Sequence, residues 1–92
     1  PMKLKNLDNV WQRKENFSIL GLPFVTYLVQ PSFKNQFSDR ITYVATFKGA
    51  IVIHEPINGI FFSINEAEKG CEMHLQKLLD DIFQKLENVI ET

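Results

Sequence analysis

The sequence is poor in cysteine and has no long apolar run. Cys71 is the single cysteine among 92 residues, so no disulfide can form within the chain. Small secreted domains usually depend on such bridges, and we therefore expect a cytoplasmic protein from a reducing compartment. The most apolar stretch, residues 19–29, is broken by Gly21 and Pro23. It is shorter than the roughly 18 residues that a membrane-spanning helix requires, and no signal peptide is recognisable, so we expect no membrane association.

The sequence also lacks the short motifs that carry common enzyme chemistry. It contains no glycine-rich phosphate loop, no H-E-x-x-H, no G-x-S-x-G and no C-x-x-C. A chain of this length forms one modest core, and so small an enzyme usually needs a second copy to build a pocket. We therefore favour a non-enzymatic protein with no cofactor and no metal, although missing motifs alone do not exclude an enzyme.

The composition is that of one folded domain. With 45% hydrophobic and 23% charged residues, the chain is too apolar for intrinsic disorder, and we assign residues 1–92 to a single compact domain. Pro1 precedes Met2, which indicates that Pro1 is a cloning remnant. Lys, Asn, Ile and Phe supply 32 of the 92 residues, whereas Ala occurs three times. Because their codons are A/T-rich, we expect an A+T-rich genome, such as that of a phage or another mobile element.

Charge is divided between the two halves of the chain. Residues 1–48 carry a net charge of +4 and residues 49–92 a net charge of −5. Opposed halves favour head-to-tail pairing with a second copy or contact with a charged partner. The simpler interpretation is an acidic helix face that is merely solvated.

Two regions have the composition of β-strands. Residues 17–30 are rich in β-branched and aromatic residues, which fit a half-buried sheet. Residues 40–48 alternate between two faces, and two further β-rich runs flank Asn58-Gly59, a pair typical of tight turns. Residues 40–64 are therefore predicted to form a three-stranded antiparallel meander.

Helical spacing of apolar residues occurs at both ends of the chain. Residues 3–14 are predicted to form a short amphipathic helix. Ser63 and Glu66 have the spacing of a capping box and precede a long helix, which Gly70 could divide into a short and a longer piece. Its apolar stripe consists of Leu75, Leu78, Leu79, Ile82, Phe83, Leu86, Val89 and Ile90. A helix of this length is expected to overhang the sheet and to seek a second copy.

These elements predict an α+β fold. It consists of a single antiparallel sheet, a meander of four or five strands, packed against a long C-terminal helix, with a short N-terminal helix. Helices on one side leave the opposite face of the sheet open. By alternation that face carries either Thr42, Val44 and Thr46 or Tyr43 and Phe47. Either set is apolar enough to favour a covering partner.

Candidate chemical groups are few. Cys71 and His74 share a helix face, but a metal would need further ligands, and His54 and Glu72 stand at no recognised spacing. A nucleophilic pair would need an orienting third group. We therefore interpret Cys71 as a buried residue beside a surface histidine and expect neither a metal nor a catalytic role. His54 lies beside Glu55 at a predicted strand end. Because adjacent strand residues point to opposite faces, we do not expect these two side chains to meet.

Protein interaction is the function that the sequence favours. Phe33 and Phe37 lie in a polar loop, where aromatic side chains typically anchor a partner. The candidate partner-binding residues are Phe33, Phe37, Tyr43, Asp80, Asp81 and Glu87. We expect a small interaction or inhibitor module that occludes the surface of a partner protein, with a homodimer as one arrangement.

The alternative is a nucleic-acid-binding accessory protein that uses the basic N-terminal half. Its candidate residues are Lys3, Lys5, Arg13, Lys14, Lys34 and Arg40. The isoelectric point near 6.1 and the lack of a recognisable nucleic-acid-binding motif count against this alternative.

Overall fold

The computed structural model describes residues 7–32, 41–49 and 55–89. Its elements are β1 (Gln12–Arg13), β2 (Ser18–Gly21), β3 (Val25–Ser32), β4 (Thr42–Gly49), β5 (Glu55–Pro56) and α1 (Ile64–Val89). The strands form one sheet in the order β1-β2-β3-β4-β5, and every neighbouring pair is antiparallel. The predicted α+β class, a meander packed against a long C-terminal helix, is confirmed.

The core lies between α1 and one face of the sheet. Tyr27 pairs with Phe47 and Val29 with Ala45, and all four side chains are buried. The remaining buried apolar residues are Trp11, Leu20, Ala67, Cys71 and Leu75. Because side chains alternate along a strand, the intervening residues of β3 and β4 lie on the opposite face. Of the two predicted sets for the open face, the register therefore selects Thr42, Val44 and Thr46, with Thr42 itself buried.

The predicted N-terminal helix is wrong within the described residues. Residues 8–10 form a turn, in which the Val10 amide donates to the Leu7 carbonyl at 2.8 Å, and the chain then extends into β1. A helix of about twelve residues is marginal in water. The extended conformation instead gives β1 its ladder with β2 and buries Trp11 in the core.

The predicted hairpin at Asn58-Gly59 is also wrong. The chain from β5 onward stays on one edge of β4: the Ile57 amide donates to the Ala45 carbonyl at 2.9 Å, and Phe61 bridges Tyr43. Gly59, with φ of 140°, therefore bends this edge segment and does not reverse it. The expected strand over residues 60–64 is reduced to the single bridge at Phe61.

A capping box begins α1, as predicted. The Glu66 amide donates to Ser63 Oγ at 3.1 Å, and Glu66 Oε2 accepts from the Phe62 amide at 2.8 Å. The helix is continuous through Gly70. A Cβ atom at position 70 would lie 2.7 Å from Cζ of Phe61, so this glycine makes room for the Phe61 ring against the helix.

Candidate interaction surface

The last ten residues of α1 extend beyond the paired strands. Glu68 bonds to Ser18 and His74 contacts Tyr27, so α1 runs toward the sheet end at which β3 begins. From the Tyr27–Phe47 pair to the end of the β3–β4 ladder at Val25 is about 7 Å. A helix covers that distance in about five residues, so the paired strands end near residue 79. We call residues 80–89 the overhang; it is about 15 Å long.

The overhang carries an exposed apolar stripe. Leu75 is buried against the sheet, and Ile82, Leu86 and Val89 follow it at spacings of seven, eleven and fourteen residues, on the same side of the helix. Their exposed fractions are 44%, 45% and 74%. The core-facing side of α1 thus continues past the paired strands as an exposed row, beside which Phe83 is half-buried.

Acidic side chains lie on the other side of the overhang. Asp80, Asp81 and Glu87, all predicted partner residues, are exposed there, and with Lys85, which lies nearer the stripe, they give the overhang a net charge of −2. Gln76 Nε2 donates to Asp80 Oδ1 at 3.1 Å, which holds one carboxylate along the helix. An amphipathic helix of this kind can lay its apolar side into a partner groove.

A second exposed apolar surface lies on the sheet. We call the side of the sheet opposite α1 the outer sheet face. It contains an open depression of about 160 Å³. The depression is lined by Ile19, Thr26, Leu28, Thr46 and Lys48. These residues belong to β2, β3 and β4. They lie near the end of the sheet beyond which the overhang extends.

An ion pair between a buried carboxylate and a half-exposed guanidinium group joins α1 to the first strands. The side chain of Glu68 is 2% exposed, and it accepts hydrogen bonds from Arg13 Nε at 3.0 Å and Arg13 Nη2 at 2.8 Å. Ser18 Oγ donates to the same carboxylate at 2.7 Å. Hydrogen bonding between the Arg13 guanidinium group and Glu68 is the main cause that raises the pKa of Arg13. Glu68 therefore neutralises the positive charge of Arg13 within the fold. This makes Arg13 a weaker candidate for binding a phosphate group of nucleic acid.

Further contacts beside the Arg13–Glu68 pair also hold α1 against the sheet. Trp11 Nε1 donates to Glu72 Oε2 at 3.2 Å, one turn further along α1. Lys69 lies 3.8 Å from both Glu72 Oε1 and Asp8 Oδ1. The N-terminal half of α1 is thereby fixed to the sheet by charge as well as by packing, and the overhang has no comparable tie among the contacts of the described residues.

The cysteine and histidine that share a helix face do not form a nucleophilic pair. Cys71 is fully buried, and burial raises the pKa of its thiol to about 12. His74 instead lies 2.8 Å from Tyr27 Oη through Nδ1 and stacks obliquely on Phe47. Burial raises the pKa of Tyr27 well above its usual value, so its hydroxyl stays protonated beside the imidazole. The cluster closes the core, and His74 is half-buried where a surface histidine was expected.

Several predicted residues lie outside the described residues. They are Phe33, Phe37, Lys3, Lys5, Lys34, Arg40 and His54. Tyr43 is half-buried on the α1 side of the sheet, and Lys14 is exposed beside β1. Of the predicted partner-binding residues, the structure brings together the three acidic ones on the overhang.

Three features could not be predicted from the sequence. The Arg13–Glu68 pair joins residues 55 positions apart, and a separation of that kind leaves no local pattern. The depression on the outer sheet face depends on the register of three strands. The end of the stripe's burial near residue 79 depends on the length of β3 and β4, which the sequence pattern alone does not define.

Comparison with family models, with curated proteins and with solved structures finds no match. Among the residues described, no group of histidine, cysteine, aspartate and glutamate side chains is arranged to hold a metal ion. No helix in the described ranges is long and apolar enough to cross a membrane.

Proposed function

We propose that this chain is a non-enzymatic protein-interaction module that occludes a groove on a partner protein with its overhang. The observation that supports the proposal is the exposed stripe of Ile82, Leu86 and Val89, which leaves the paired strands while remaining apolar. Isolated exposed apolar residues are ordinary, but a row of them on one helix face marks an interaction site.

The anchoring of α1 supports the same proposal. A helix segment of ten residues is unstable alone, but the overhang continues a helix that the Arg13–Glu68 pair and the buried Leu75 hold against the sheet. The overhang is thus partly ordered before binding, which lowers the entropy cost of docking. The sheet behind it is a bulky body that would keep other molecules away from the occupied groove, which is how the module would inhibit by occlusion.

Charge defines the kind of partner. The overhang carries Asp80, Asp81 and Glu87 against one cation, Lys85, so an apolar groove on a partner of net positive charge matches it best. Nucleic acid carries the wrong charge for this surface. Phe33 and Phe37 remain proposed as additional anchors of the partner.

Site-specific photo-crosslinking in cells that make the protein tests the proposal. Benzoylphenylalanine replaces Leu86 on the stripe, and a matched variant carries it at Gln84, which is exposed in the same helical turn. We expect a discrete protein adduct from position 86, resistant to nuclease and absent from position 84. Equal labelling from both positions would contradict a stripe-specific contact, and loss of the adduct after nuclease would favour the nucleic-acid alternative.

A further inference from the structure

We infer that the outer sheet face is a docking site for the overhang of a second copy of this chain, so that two copies exchange their overhangs in a closed dimer. The inference uses the same overhang as the proposed function. It assigns a role to the depression of Ile19, Thr26, Leu28, Thr46 and Lys48, which the proposed function leaves unused.

The first argument is the direction in which the stripe faces. Because Ile82 and Leu86 lie on the same side of α1 as the buried Leu75, the stripe faces the layer that the sheet occupies. Beyond the paired strands, that layer is free to hold the sheet of another copy. If the second copy is turned over about a two-fold axis in the plane of the sheet, its outer sheet face lies directly against the stripe.

The same rotation returns the second overhang to the first outer sheet face. The contact between overhang and sheet is heterologous, and a heterologous contact leads to an open polymer unless the symmetry closes it. The two-fold exchange closes it, with the two sheets end to end and one helix on each side. Phe24, in the turn between β2 and β3 and 80% exposed, lies at the end where the two sheets would meet.

The second argument is the match in length and position. The overhang is about 15 Å long, which corresponds to between four and five residues of a strand. Measured from the end of the second copy's sheet, an overhang of this length covers residues 25–29 of β3 and their partners 45–49 of β4. The depression lies within this area, because Thr26 and Leu28 belong to the first range and Thr46 and Lys48 to the second.

The third argument is charge complementarity. The overhang has a net charge of −2, whereas the described lining of the depression contains Lys48 and no carboxylate. Lys48 beside an apolar floor gives this depression the apolar character and the positive charge proposed above for a partner. A second copy therefore presents the kind of groove that the overhang fits, and self-association and partner binding would compete for it.

Sedimentation equilibrium with complementary variants tests this inference. Leu86→Glu damages the overhang alone, and Lys48→Glu places an acid opposite it on the outer sheet face alone. Both residues are exposed in the monomer, so each variant should keep its far-ultraviolet circular dichroism and melting temperature. We expect each to weaken the dimer about tenfold or more. Leu86→Glu places a carboxylate against an apolar floor, and Lys48→Glu brings an acid to an overhang of net negative charge. Lys14→Glu, an exposed lysine outside this face, is the matched control and should leave the dimer unchanged.

Mixing the two damaged variants separates this dimer from other dimers. One Leu86→Glu chain and one Lys48→Glu chain retain one intact overhang-to-sheet contact and place both changes in the other contact. A contact that one change has already broken loses little more from the second change, so the mixed dimer should form more tightly than the geometric mean of the two variants' self-association. A monomer at all concentrations would overturn the inference while leaving the crosslinking test of the proposed function intact. A dimer insensitive to Lys48→Glu would also overturn it, because the overhangs would then pair with each other.

Discussion

Replacing Arg13 with methionine tests whether its ion pair with Glu68 fixes α1 to the sheet. The substitution keeps the aliphatic bulk and removes the guanidinium group, so that the carboxylate of Glu68 keeps only the hydrogen bond from Ser18. Removing one partner of a fully buried pair costs about 3–5 kcal/mol. Because the side chain of Arg13 is 45% exposed, solvent screens part of the interaction, and we expect a loss of about 2–3 kcal/mol at pH 7.5. Urea titrations at pH 7.5, followed by fluorescence of the buried Trp11, measure this loss.

The double variant Arg13→Met with Glu68→Gln is the matched control. It has no buried charge, so we expect it to be more stable than Arg13→Met alone at pH 7.5. A double variant that is no more stable than Arg13→Met alone would refute the reasoning. So would a double variant whose loss equals the sum of the two single losses, because the two residues would then not be coupled.

Two further predictions concern the core. Burial raises the pKa of the Cys71 thiol from 9 to about 12, so the unfolded chain loses its proton first as the pH rises. The free energy of unfolding should therefore fall by about 1–2 kcal/mol between pH 8 and pH 10, and urea titrations of Cys71→Ala should show a step smaller by that amount. Gly70→Ala should lower the melting temperature of the parent protein, because its Cβ meets the Phe61 ring. In a Phe61→Ala background the same change should raise stability by about 1 kcal/mol, and an unchanged sign would contradict the packing role of this glycine.

The types of the long elements could be predicted from the sequence, because they follow from local patterns. The alternation over residues 40–48 predicts β4, and the spacing of Ser63 and Glu66 predicts the start of α1. The two errors arose where a local pattern competes with tertiary packing. Residues 3–14 have helical spacing, but the core gains more from a buried Trp11 and the β1–β2 ladder. Asn58-Gly59 favours a tight turn, but Phe61 continues along the edge of β4.

The candidate site could be predicted in part. The overhang follows from the length of the apolar stripe, and Asp80, Asp81 and Glu87 lie on it as exposed residues. The depression on the outer sheet face required the register of three strands. Arg13 illustrates the limit most clearly, because its sequence context is that of a free basic residue while its guanidinium group bonds to Glu68.

Hydrogen exchange along α1 measures most directly whether the overhang is an unsupported docking element. At a concentration where the chain is monomeric, we expect the amides of residues 67–75, which pack on the sheet, to exchange at least about tenfold more slowly than those of residues 80–89. The boundary should lie near residue 79, where the paired strands end. Equal protection along the whole helix in the monomer would contradict the account, because the overhang would then be held by the chain's own fold.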